Sequence, residues 1–171
     1  MNFILLAIFV VCSSAISATA RQVVAGTPED KLLQQIAAET NTDAKLQLLK
    51  TFEEQFPQSK VLPDIYLMMI EQYRQKSDGN KIIEYGEKVL KVDEHNVTAM
   101  MVLARTYSIQ RKSLDRAVQL ADQAVSHIAN MKNGPRPAGY SEAAWKEYLA
   151  TNETAAKQIS DFAKGLKAKP F

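Results

Sequence analysis

Side chains able to do bond-making chemistry are scarce in this sequence. It holds two histidines, His95 and His127, and one cysteine, Cys12. His95 lies in the polar run Asp93-Glu94-His95-Asn96 and reads as a solvated loop residue. His127 follows Ala124 by three positions on a helical run and reads as a packed or surface residue. No second His or Cys stands at ligand spacing from either, so no zinc motif is present. A single Cys also excludes a disulfide within the chain. The acids are dispersed, with no pair that has a sequence reason to converge for acid–base work, and no glycine-rich phosphate loop occurs. Ser113 and Ser141 each precede a helical run and read as helix caps rather than nucleophiles. The expectation is a non-enzymatic protein with no cofactor and no metal. A small hydrolase or metal-dependent enzyme would have to be built on His95 or His127.

Charge and composition narrow the partners. The 171 residues carry 21 Lys+Arg against 19 Asp+Glu, a formal net charge of +2, too small for a nucleic-acid footprint. Apolar residues make up 46% and charged residues 23%, ordinary for a globular protein. Lys164, Lys167 and Lys169 form a basic end that complements a helix C-terminus. Trp145, the one tryptophan, is expected to dock the last helix onto the preceding hairpin. Asn96-Val97-Thr98 and Asn152-Glu153-Thr154 match the N-glycosylation sequon, which matters only in a host that glycosylates.

The first twenty residues differ in kind. Phe3 to Val11 is unbroken apolar sequence, Ser13 to Ala20 is small, and no charged side chain precedes Arg21. Ala18-Thr19-Ala20 has the form of a signal-peptidase site, so residues 1–20 are predicted to be a signal peptide cleaved before Arg21, although Met1-Asn2 lacks the usual Lys or Arg. The apolar run is shorter than the roughly 20 residues of a membrane span, so no stable span is expected after cleavage. The expected location is outside the cytoplasm, periplasmic or secreted, and a mature chain without Cys suits an oxidising compartment.

The rest reads as helices. Thr27-Pro28-Glu29-Asp30 is a helix start, and Asn41-Thr42-Asp43 offers a second cap before a run ending at Pro57. Pro63-Asp64 opens a third helix, and Asp78-Gly79 is a turn before a fourth. A fifth covers about 97–110, a sixth about 114–132, and a seventh 142–167, after the breaker Asn133-Gly134-Pro135-Arg136-Pro137. No segment alternates with period two for long, so no strand is predicted.

An internal period is the most informative feature. Tyr66, Met69, Ile70 and Tyr73 recur 34 residues later as Met100, Leu103, Ala104 and Tyr107. Ile82, Gly86 and Val89 recur 35 residues later as Ala117, Ala121 and Ala124, with the extra residue placed in the turn around 111–114. This pattern resembles the tetratricopeptide repeat (TPR) family over residues 63–130, and more weakly over 29–57, where Leu48-Leu49-x-x-Phe52-x-x-x-Phe56-Pro57-x-Ser59 looks like a helix end of extracytoplasmic TPR proteins. Gly86 and Ala121 replace the family's second-helix aromatic, and Glu94 stands where its closing Pro would be. Gly86 costs about 1 kcal/mol against Ala in a helix, which close packing must offset.

The resemblance implies an all-α, TPR-like solenoid of about three antiparallel helical hairpins over 21–140, with a long capping helix over 141–171. It implies an exported protein–protein interaction module, with a possible role in cell-envelope assembly or secretion. Its partner would be a protein or peptide bound on the concave side. A structural self-associating TPR unit, and hence a homo-oligomer, is the alternative. The implied groove residues are Leu67, Met68, Glu71 and Gln75 in one unit and Met101, Val102, Arg105 and Ile109 in the next. Methionines suit a groove that takes apolar side chains. Leu67 and Val102 stand where chaperone-binding members carry basic carboxylate-clamp residues, so an acidic C-terminal tail is not the expected ligand. Coverage of this surface by the N-terminal hairpin or the last helix is the competing expectation.

Overall fold

The computed structural model describes residues 23–168; the predicted signal segment and Lys169 lie outside them. The described residues form seven α-helices and no strand. They are α1 (Pro28–Ala38), α2 (Thr42–Gln55), α3 (Leu62–Gln75), α4 (Gly79–Val92), α5 (Val97–Ile109), α6 (Leu114–Asn133) and α7 (Glu142–Lys167).

Local chemistry accounts for most of the boundaries. Thr27 Oγ1 accepts from the Asp30 amide, Asn41 from Asp43 and Ala44, Asp78 from Lys81, Asn96 from Ala99 and Ser141 from Ala144. Each satisfies an amide that the first helical turn leaves without a partner. Val61 before α3 and Ser113 before α6 make no side-chain cap. Ser113 holds a left-handed backbone, with φ +46°. Gly79 is the first residue of α4 rather than part of the turn before it.

The turns repeat as the helices do. Ser77 and Arg111, 34 positions apart, both hold positive φ, +55° and +52°. The amide after each reaches back to a tyrosine carbonyl, Asp78 N to Tyr73 O at 2.9 Å and Lys112 N to Tyr107 O at 3.0 Å. This is the six-to-one closure of a helix C-terminus that normally uses glycine. The two turns diverge only after Arg111, where the second takes one more residue before its helix begins.

Each helix packs on its neighbour in the chain, and α5 also packs on α7. The buried side chains fall into two apolar clusters. The first runs from Leu32 through Phe52, Ile65, Met69 and Val89 to Ala99. The second joins Met100, Leu103, Leu120 and Ile128 to Trp145, Leu149 and Ala156. Leu90 touches both. Gly86 lies where α4 meets α5; a Cβ built on it would stand 2.7 Å from Leu103 Cγ and Cδ2. The close approach expected of this glycine is therefore present.

A polar clip recurs along the stack. Glu53 on α2 accepts Lys88 Nζ at 2.7 Å. Glu87 on α4 accepts the Tyr107 hydroxyl at 3.1 Å and pairs with Arg116 at 3.4 Å. Asp122 on α6 accepts Ser160 Oγ at 2.6 Å and Lys164 Nζ at 3.0 Å. The three acids are 34 and 35 residues apart, the spacing of the apolar repeat. Each ties its helix to elements later in the chain. Partly exposed pairs of this kind contribute about 0–1 kcal/mol each, so they set register more than stability.

Candidate interaction surface

The structure divides the eight groove residues by exposure, with Glu71 partly buried. Leu67, Met68 and Val102 are half-buried, each packed against the first cluster. Met101 is buried in the second cluster, contrary to the expectation of an open groove position. The cause is the return of α7 onto α5, which completes that cluster with Trp145, Leu149 and Ala155. Gln75, Arg105 and Ile109 remain exposed, Ile109 to 64%.

Polar contacts fix the α3 side. The Glu71 carboxylate accepts Arg74 Nη2 and Nε at 2.7 and 2.9 Å along the helix. Gln75 Oε1 accepts the Thr42 hydroxyl at 2.8 Å, and beside it Lys76 Nζ donates to Asp43 at 2.6 Å. These bonds join the end of α3 to the start of α2. The open part of the surface thus presents an amide, a guanidinium and a branched apolar side chain.

Behind it lies an aromatic layer. Tyr85 stacks on Tyr73 with centroids 5.5 Å apart and meets Tyr66 at 5.9 Å. Lys88 Nζ sits 4.5 Å from the centre of the Tyr85 ring. Burial, and then the Glu53 carboxylate, push the Tyr66 and Tyr85 hydroxyls above their ordinary range. Burial and Glu87 do the same to Tyr107. All three therefore stay neutral and serve as packing groups and hydrogen-bond donors.

Two features escaped the sequence reading. The first is a cleft of about 480 Å³ between the end of α6 and the start of α7, lined by Lys132, Arg136, Glu142, Trp145, Lys146 and Leu149. Its cations are engaged. Lys132 pairs with Glu153, Lys146 with Glu142 at 2.6 Å, and Arg136 donates to the Tyr140 carbonyl at 2.7 Å. Trp145 is buried in one cluster with Met100, Leu120 and Ile128 of the preceding hairpin, and along its own helix it stacks on Tyr148 at 5.2 Å. The second feature is the meeting of His95 and His127, whose ring centres stand 4.7 Å apart. Thirty-two residues separate them in sequence, and only the fold of α5 back along α6 brings them together.

No protein-family model matches the chain, and no curated protein matches it. Among the described residues, no helix is long and apolar enough to cross a membrane.

Proposed function

We propose that this chain is a non-enzymatic interaction module of the TPR type, exported from the cytoplasm, which binds a protein segment along the surface formed by α3 and α5. The observation that carries the reading is the shared period of sequence and structure. Paired left-handed turns at Ser77 and Arg111 and clip acids at Glu53, Glu87 and Asp122 follow the same 34–35 residue spacing as the apolar positions. Stacked helical hairpins of one kind bury a shared core and leave a continuous face for a partner.

Contact is centred on Gln75, Arg105 and Ile109, with Leu67, Met68 and Val102 forming the apolar floor. Lys31, Gln34 and Gln35 on α1, and Lys146, Glu147, Thr151, Lys157 and Gln158 on α7, are exposed polar positions suited to capping a stack.

The test places a photo-crosslinking residue at Ile109 and, separately, at Thr151 on α7. A polypeptide captured at Ile109 but not at Thr151, and lost when Arg105→Glu is added with the helical circular dichroism unchanged, is the expected result. Equal capture at both sites would overturn the assignment of the surface. Recovery of the chain itself alone would replace it with self-association.

A further inference from the structure

We propose that His95 and His127 form a binding site for a divalent transition-metal ion of the zinc, nickel and copper class, with Glu94 as the third ligand. The two imidazoles come from different elements, the α4–α5 connection and α6, and meet at 4.7 Å between ring centres. That separation, an ordinary ring contact, is also one that two imidazoles can keep on a shared ion. Metal–nitrogen bonds of about 2.0–2.1 Å, plus about 1.1 Å from nitrogen to ring centre, put two imidazoles about 4.5–5.2 Å apart at ligand angles of about 90–110°. Glu94 Oε1 stands 3.6 Å from His95 Nε2. Two donors on one tetrahedral ion are about 3.4 Å apart, so a small rotation of the carboxylate completes the set.

The site is accessible, with the His95 and Glu94 side chains 68% and 82% exposed and His127 half-buried. Its loop is held at its base. The His95 amide donates to Asp93 Oδ1 at 3.3 Å, and Asn96 Nδ2 donates to Asp93 Oδ2 at 2.9 Å, which fixes the turn that carries His95. As they stand, no three His, Cys, Asp or Glu side chains among the described residues are grouped for a metal. The site is therefore a two-histidine anchor that recruits its carboxylate on binding and leaves one position for water or an incoming donor. Imidazole donors select this class of ion over magnesium or calcium, which prefer all-oxygen sets.

Calorimetric titration of the full-length, untagged chain with zinc chloride tests the site. Every arm carries Cys12→Ser, so that the thiol does not compete. One ion per chain is expected, with His95→Ala and His127→Ala each weakening binding at least about tenfold and Glu94→Gln by a smaller factor. Zinc should also raise the melting temperature of the parent and leave either His→Ala variant unmoved, since an ion bound only to the folded form stabilises it. His95→Gln repeats the test should an alanine variant lose helical circular dichroism. Absence of saturable binding, or binding that either histidine substitution leaves within about twofold of the parent, would overturn the proposal. Several ions bound alike by parent and variants would do so too, as scattered surface carboxylates produce that pattern.

Discussion

Single side chains carry two measurable consequences. Gly86 gives way to Leu103 at the α4–α5 crossing, and an added Cβ would meet it at 2.7 Å. Gly86→Ala gains about 1 kcal/mol in helix propensity but overpacks a closed contact, at a cost of about 1–3 kcal/mol. A net loss of up to about 2 kcal/mol is expected in urea unfolding, and Leu103→Ala in the same chain should remove the clash, so that the two changes are less than additive. Glu153 is held by Lys132 and then Lys157, which lower its carboxyl from 4.5 to about 2. A depressed carboxyl contributes stability that is fully present above its unfolded value and lost as pH falls through the folded one. Glu153→Gln should therefore lower the melting temperature at pH 7. The difference from the parent should shrink below about pH 4.5 and vanish near pH 2. An acid-independent difference would mean that the amide perturbs packing instead.

At the scale of elements, the ends of α3 and α5 are the informative places. Ser77 adopts a left-handed backbone that costs a non-glycine residue about 1–2 kcal/mol. Ser77→Gly should stabilise the chain by about 0.5–1 kcal/mol, and Ser77→Val, β-branched, should destabilise it, both read from the urea midpoint. Helices were legible in the sequence because their signals are local. Thr27, Asn41 and Ser141 cap within three residues, and the apolar spacing marks each face. The left-handed turns were not, since their usual sign is glycine and here they hold Ser and Arg. Ser113 misled as well: its place in the sequence suits a cap, and its backbone is left-handed. Of the surface, Gln75, Arg105 and Ile109 were legible as outward positions. The burial of Met101 was not, because it depends on where α7 returns, after a loop whose path no local pattern encodes.

For the whole molecule, the division into two apolar clusters governs how it comes apart. Trp145 belongs to the second cluster, and the first contains no tryptophan. Phe52 is fully buried in the first, where Phe52→Ala removes about 3–5 kcal/mol. In a stack stabilised by nearest neighbours, damage at one end is only partly felt at the other. Phe52→Ala is therefore expected to move the circular dichroism midpoint well below the tryptophan-fluorescence midpoint. Coincident shifts would show a single cooperative unit. The same division bears on the order in which the molecule is made. Every residue of the first cluster, and every side chain packed on its flank, has been synthesised once the chain reaches Val102. The first core can thus close while α6 and α7 are still unmade, and only Val97, Met100 and Met101 then await the later helices.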